Sequence, residues 1–182
     1  MKKENKNMKH LFKTLPLLAL ILLFTASVGA AQTTNVTVTV GAEASLSLTA
    51  TPLTISGAAF SAYTGATTAT YLIRTTKVGG TGTINLKVTT DFGPTGGPSV
   101  LTPPTAGDAL TYTCTAAAPA TGCTGTQTAL TTATTPVATF GTDAHALSSP
   151  ASTVLTNWSL TNDPKYQTGA YTAVATYTIS AT

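Results

Sequence analysis

Apolar and polar side chains alternate with a period of two along much of this chain, and this alternation restricts the fold more than any other feature. In the segment Asn35 to Val40 (NVTVTV), Val36, Val38 and Val40 share one face and the polar residues between them share the other. Successive side chains of a β-strand point to opposite faces, so the pattern is typical of strands with one buried face. Helical periodicity is absent after the first 31 residues, and the sequence therefore predicts an all-β protein.

Seven further segments have strand character: Ser45–Ala50, Thr70–Thr76, Thr83–Thr89, Leu110–Ala116, Pro136–Phe140, Thr153–Leu160 and Ala170–Ser180. Turn residues separate them, and Gly79, Gly80 and Gly82 predict a hairpin between two of these strands. The Thr-rich and Ala-rich stretch Ala116 to Thr135 is interpreted as a decorated loop or a weak edge strand. Seven to eight short antiparallel strands with such punctuation predict an immunoglobulin-like β-sandwich, with a small barrel as the alternative.

The alternation also predicts which side chains form the core. The inward set lies on two neighbouring or opposed strands and comprises Ile84, Leu86, Val88, Tyr171, Ala173, Ala175, Tyr177 and Ile179. Asn85, Lys87 and Thr89 then face solvent.

The first residues have the organisation of an export signal. Five lysines, the apolar run Leu15 to Phe24 and a small-residue stretch ending VGAAQ predict a signal peptide over residues 1–31. The apolar run is too short for a transmembrane anchor, so we expect a secreted protein at the cell surface with one domain over residues 32–182.

Removing this segment changes the charge. Five of the nine basic residues and one of the six acidic residues precede Gln32, which leaves four basic and five acidic residues and a net charge of −1. A nucleic-acid partner therefore has no electrostatic basis. Threonine supplies much of the polar surface instead, and a surface with so few charges tolerates association with copies of itself.

The two cysteines, Cys114 and Cys123, flank a short loop that contains proline and glycine. In an oxidising compartment this spacing predicts a disulfide that closes the end of a hairpin. A metal site is the alternative, but one histidine outside the signal peptide gives too few ligands for zinc. We therefore expect no metal and no cofactor.

No residue pattern in the sequence indicates catalysis, and the chain is not expected to be an enzyme. His145 lies beside Ser148, Ser149 and Asp143, yet it is interpreted as an exposed loop histidine. The acidic residues fall beside turn residues and are expected to stabilise loops; they are Glu43, Asp91, Asp108, Asp143 and Asp163.

The positions of the aromatic residues indicate which of them could contact a ligand. Trp158 and most tyrosines alternate with threonine on predicted strands and are expected in the core. Tyr63 and Tyr166 lie in predicted loops, so they are the candidates for contact with a ligand.

Two stretches resemble a known family. NVTVTVGAEASLSLTATPLTISGAAF (Asn35 to Phe60) and GAYTAVATYTIS (Gly169 to Ser180) are similar to the opening and closing strands of spore-coat-U-like domains, the subunits of archaic chaperone-usher fimbriae. The resemblance implies a pilin-like, incomplete sandwich whose groove accepts the N-terminal strand of the next subunit. Thr33 to Val40 would be that donor strand, with Val36, Val38 and Val40 at the subunit interface. The alternative is that this segment is the first strand of its own domain.

The expected function is a structural subunit of an extracellular homopolymer, either a fimbria-like filament or a surface coat. Its partners would be copies of itself and, as the resemblance implies, a periplasmic chaperone. The alternative is a secreted or cell-surface binding module for carbohydrate or cell wall. The short motif Trp158 to Leu160 (WSL), which is similar to one in secreted cell-wall-binding domains, favours that alternative.

Overall fold

Ten strands and no helix form the part of the chain that the computed structural model describes, residues 35–55, 57–147 and 150–182. The predicted signal peptide, residues 1–31, lies outside these residues, as do Thr33, Ser148 and Ser149. Among the described residues, no helix is long and apolar enough to cross a membrane.

The strands follow the chain without an intervening helix. They are β1 (Glu43–Ala50), β2 (Thr54–Ile55), β3 (Tyr63–Arg74), β4 (Gly82–Gly93), β5 (Leu110–Ala116), β6 (Ala120–Gly122), β7 (Gln127–Thr128), β8 (Thr135–Phe140), β9 (Ser152–Leu160) and β10 (Thr172–Ala181).

Two antiparallel sheets pack face to face, which confirms the predicted all-β sandwich. One sheet has the order β1-β3-β9-β5-β7, with β2 also paired to β3, and the other has the order β10-β4-β8-β6. In the first sheet, β3 lies between β1 and β9, and in the second, β4 lies between β10 and β8. The immunoglobulin-like detail of the expectation stays a prediction.

The core forms where the sequence alternates most regularly. Ile84, Leu86 and Val88 of β4 are fully buried, as predicted. Their β10 partners are Ile179, Tyr177 and Ala175, which confirms that the two predicted inward sets lie on neighbouring strands. A one-residue slip would turn all of these side chains outward, so the hydrophobic pattern fixes the register.

The hairpin predicted from Gly79, Gly80 and Gly82 is wrong, because β3 and β4 belong to different sheets. Residues 75–81 cross from one sheet to the other, and their backbone groups bond to other segments. The amide of Thr75 donates to the Ala144 carbonyl at 3.1 Å, and the amide of Thr76 donates to the Thr182 carbonyl at 2.9 Å. Glycine is required at position 80 of this connection, because a side chain there would collide with the backbone of Thr76.

Several predicted boundaries also need correction. Residues 35–42 form no strand in the structure, and the first strand begins at Glu43. β3 begins at Tyr63, seven residues before the predicted start at Thr70, so Tyr63 is a strand residue rather than a loop residue. The stretch between Ala116 and Thr135 contains the short strands β6 and β7, in agreement with the weak edge strand that was one of its two interpretations.

Candidate functional site

The two lateral sides of the sandwich differ in how their edge strands are built. At one side the edges are β1, with eight residues, and β10, with ten. At the other side they are β7, with two residues, and β6, with three. We call the side bounded by β1 and β10 the open side and the other the closed side.

A disulfide holds the closed side. Cys114 lies on β5 and Cys123 follows β6, and the bond joins them across a Cα–Cα distance of 5.2 Å. The predicted disulfide is therefore confirmed, but the predicted hairpin end is wrong, because β5 and β6 lie in different sheets. The amide of Cys123 also donates to the Val137 carbonyl at 2.9 Å, which ties this segment to β8.

The apolar side chains along the open side are less buried than those of the neighbouring strands. β1 and β10 pack against each other across the sandwich. However, their inward side chains are only partly covered, and Leu48 on β1 is 43% exposed. The inward residues of β10 are all half-buried, whereas the adjacent Ile84 and Leu86 of β4 are fully buried. Apolar surface therefore remains accessible along this side.

The open side has few of the features by which proteins usually protect an edge strand, and the register shift of β10 against β4 beside Val174 is one of them. Native edges are shortened, or carry charged residues or proline that prevent pairing with another chain. β10, with the sequence TAVATYTISA, contains neither a charged residue nor proline, and β1 contains one charged residue, Glu43. Within the described residues, no strand pairs with the outer edge of β1 or β10.

One ion pair marks the beginning of β1. The Arg74 guanidinium lies 3.0 Å from the Glu43 carboxylate, and its Nε donates to the Gly41 carbonyl at 2.7 Å. These contacts fix the chain at the point where residues 35–40 connect to the sandwich.

The three valines assigned to the donor strand are not buried. Val36 is 86% exposed, Val38 is 76% exposed and Val40 is 63% exposed. Each valine thus presents an apolar side chain to solvent from a segment that belongs to no described strand.

Tyr63 and Tyr166, the two residues predicted to contact a ligand, line the same cleft at one end of the sandwich. Three further aromatic residues line it: Phe60, Phe92 and Tyr171. Tyr171 was predicted to face the core, but it precedes β10 and lies in the cleft wall. Sequence reasoning missed this grouping because the five rings come from distant segments, and no spacing rule relates them.

Trp158 has a structural role. It is buried on β9, its Nε1 donates to Thr67 Oγ1 at 2.9 Å, and its ring lies 5.2 Å from that of Tyr112. The ring is therefore not available to a ligand, and the WSL motif gives no support to a sugar-binding platform.

The titratable residues named in the sequence analysis occupy loops or strand ends. His145 is exposed, and its Nε2 lies 3.5 Å from Asp143 Oδ1. Asp91 accepts hydrogen bonds from the Ser99 hydroxyl and from the amides of Phe92, Val100 and Leu101, as expected of a loop-stabilising residue. Among the described residues, no group of His, Cys, Asp and Glu side chains could hold a metal ion.

Comparisons with models of protein families, with curated proteins and with solved structures gave no match. The resemblance to fimbrial subunits therefore stays a prediction, and any functional conclusion depends on the geometry of the open side.

Proposed function

We propose that this protein is a structural subunit of an extracellular homopolymer that assembles by β-strand addition. The observation that carries the proposal is the open side, where β1 and β10 present a partly covered apolar face and edges that no other described strand pairs with. Strand addition uses these two features together, because the backbone edge provides hydrogen bonds and the apolar face provides pockets for alternate side chains.

The donor in this proposal is Thr33 to Val40 of a neighbouring copy. Eight extended residues reach about 26 Å, which is shorter than the ten residues of β10 at about 33 Å. The donor therefore fits along the open side without extending past it. Val36, Val38 and Val40 would face the sandwich, and the threonines between them would face solvent.

Burial of the three donor valines favours this assembly. Full burial of a valine stabilises a complex by at least about 1.5 kcal/mol before the entropy of association is subtracted. The exposure of all three valines in the single chain means that most of this free energy is still available. The alternative, in which the segment is the first strand of its own sandwich, predicts burial of the same valines within one subunit.

An unprotected edge is also a hazard before assembly. A long, uncharged strand such as β10 can pair with other chains. We therefore include in the proposal a periplasmic chaperone that covers the open side until the subunit reaches the cell surface.

Truncation of the donor tests the proposal. A protein that lacks residues 32–40 should remain soluble, keep a cooperative thermal transition and form no filaments under negative-stain electron microscopy. The intact protein from residue 32 onward should form them. Loss of the cooperative transition on truncation would instead show that the segment belongs to its own core.

A matched pair of substitutions separates the two faces of the donor. Val38→Asp should abolish polymerisation, because it would bury an unpaired charge at the interface. Thr37→Asp should leave polymerisation nearly unchanged, because residue 37 faces solvent in the donated strand. Equal effects on filament length from both variants would contradict the proposed orientation.

A further inference from the structure

A cleft of about 900 Å³ opens at the end of the sandwich where β3 and β10 begin and β4 and β9 end. We call it the end cleft. Its walls come from the segment between β1 and β3, from the ends of β4 and β9, and from residues 162–173. Its volume falls within the range of ligand-binding clefts, about 300 to 1,000 Å³.

Aromatic residues are concentrated in the end cleft. The structure describes ten, and five of them lie away from the cleft: Tyr71, Tyr112, Phe140 and Trp158 are buried in the core, and Tyr177 packs against it. The other five line the cleft: Phe60, Tyr63, Phe92, Tyr166 and Tyr171. Tyr63 and Phe92 also pack, partly buried, against the core, whereas Phe60, Tyr166 and Tyr171 do not belong to it. Core packing therefore does not account for those three rings.

Phe60 is the clearest example of an aromatic ring that lies outside the core. It is 64% exposed, and its φ of 61° lies in the left-handed region that non-glycine residues rarely adopt. Such strain persists only where the surrounding structure imposes it, and it is found preferentially at ligand-binding sites. The turn that holds it includes a hydrogen bond from the Ser61 amide to the Ala58 carbonyl at 3.1 Å.

Hydrogen bonds fix Tyr166 in position. Its hydroxyl donates to Asp108 Oδ2 at 3.2 Å, and its amide donates to the Asp163 carbonyl at 3.0 Å. Burial, reinforced by the negative charge of Asp108, raises the pKa of the Tyr166 hydroxyl, which stays protonated at neutral pH. A ring held in this way loses little conformational entropy when a ligand packs against it.

Tyr171 is fixed by close packing. Its hydroxyl donates to the Gln167 carbonyl at 2.8 Å, and the amide of Gln167 donates to the Gly96 carbonyl at 2.8 Å. A side chain at Gly97 would collide with the Tyr171 ring, so glycine permits the close approach. The cleft is therefore largely preformed.

The polar lining restricts the chemistry of the ligand. Among the described lining residues, Asp163 is the only charged one, and it already accepts hydrogen bonds from the Thr105 hydroxyl and from the Lys165 amide at 2.8 Å. The other polar side chains include the amides of Asn162 and Gln167. With no cation in the described lining, a phosphate or carboxylate ligand would lack a counter-charge. Rings and amides instead suit an uncharged molecule with apolar faces and a hydroxyl rim.

We propose that the end cleft binds an uncharged saccharide, with sugar rings packed against Phe60, Tyr63 and Tyr166. A sugar ring has an apolar face and hydroxyl groups around its edge. It therefore suits a pocket in which aromatic side chains provide packing surface and a few polar groups orient the ligand. The proposal goes beyond the structural role and does not depend on it, since the cleft lies within one domain.

Isothermal titration of the intact secreted protein tests the assignment. The probes are the β-1,4-linked glucose hexamer, the β-1,4-linked N-acetylglucosamine hexamer, the α-1,4-linked glucose hexamer and, as a charged control, the galacturonate hexamer. At least one neutral hexamer should bind, and the galacturonate hexamer should not. Absence of binding by all three neutral hexamers overturns the proposal, as does preference for the charged one.

Three variants and one control locate the binding. Phe60→Ala and Tyr166→Ala should each weaken the affinity by about tenfold, because each removes one packing surface. Tyr166→Phe keeps the ring and should keep most of the affinity. Val78→Ala alters an 88% exposed side chain between β3 and β4, at the opposite end of the sandwich, and should change nothing. Equal affinities in all four variants would place the sugar elsewhere and overturn the proposal.

Electron microscopy of the same preparations separates this proposal from the structural one. Filaments without saccharide binding contradict the end-cleft assignment alone, and saccharide binding without filaments contradicts the homopolymer alone. If the Phe60 and Tyr166 variants lose filaments and no hexamer binds the intact protein, the cleft is a subunit contact and the saccharide proposal is wrong.

Discussion

At the scale of single residues, Asp91 shows how one side chain can hold a loop in place by accepting hydrogen bonds. One carboxylate accepts hydrogen bonds from three amides and one hydroxyl, and so holds the loop between β4 and β5 against the sandwich. Burial alone would raise the pKa of Asp91, but these hydrogen bonds outweigh it and lower the pKa. A structural role for Asp91 could be predicted, because the turn-rich segment FGPTGGP follows it directly in the sequence. Its partners at residues 99–101 could not, because their position depends on the folded loop.

Asp91→Asn should destabilise the domain by about 1 to 3 kcal/mol, because at least one amide loses its charged acceptor. The folded pKa is lowered, so the contribution is complete above the pKa of an unfolded aspartate, about 3.9, and is lost as the pH falls through the lower folded value. Thermal unfolding of wild type and variant should therefore converge in strongly acidic buffer. Asp143→Asn, at an exposed position whose positive φ asparagine also tolerates, is the control and should change the free energy of unfolding at neutral pH by less than about 0.5 kcal/mol. A constant difference at every pH would contradict this role for Asp91.

The register of β4 gives a second test at this scale. Ile84→Asp places a charge in the closed core and should destabilise the domain by more than about 4 kcal/mol. Lys87→Asp, on the opposite face of the same strand, should change the free energy of unfolding by less than about 0.5 kcal/mol. Denaturant titration of both variants measures the difference, and equal losses would contradict the register.

At the scale of strands, regular alternation decided what could be predicted. β5 has the predicted bounds, and β9 differs by one residue at its start, because both alternate β-branched or aromatic side chains with polar ones. The first half of β3, YTGATTA, was not predicted, since glycine and alanine carry little strand signal. Sheet membership was not predictable either. The glycines after β3 favour a tight turn locally, and only tertiary packing sends the chain across to the other sheet.

The disulfide belongs to the closed side, and its loss should affect stability but not assembly. Replacing Cys114 and Cys123 with alanine together should lower the free energy of unfolding by about 2 to 3 kcal/mol, because the bond closes a short loop. Filament formation should persist, because the open side lies at the opposite lateral side of the sandwich. Alkylation followed by intact-mass measurement of the unfolded, unreduced wild type should label neither cysteine. Labelling of both would exclude the disulfide.

For the molecule as a whole, the sequence predicted a sandwich but not its two unequal sides. On the open side, the longest uncharged strand, β10, is the last strand and pairs only with β4. On the closed side, the disulfide links β5 to the residue that follows β6. The end cleft was foreseen only through Tyr63 and Tyr166. Phe60 and Phe92 join them because β1, β4 and β9 all end near the point where β10 begins. Such proximity follows from topology and not from any local pattern.

The central claim is that the open side accepts the N-terminal strand of another copy, and binding of the isolated strand tests it most directly. A synthetic peptide with the sequence TTNVTVTV, residues 33–40, is titrated into the domain that lacks residues 32–40, with TTNVTDTV as the matched control. The account predicts saturable binding of the first peptide, loss of binding for the second, and protection of β10 amides from hydrogen exchange in the complex. Failure of TTNVTVTV to bind a truncated domain that is folded and cooperative, or protection confined to strands away from β1 and β10, would contradict it.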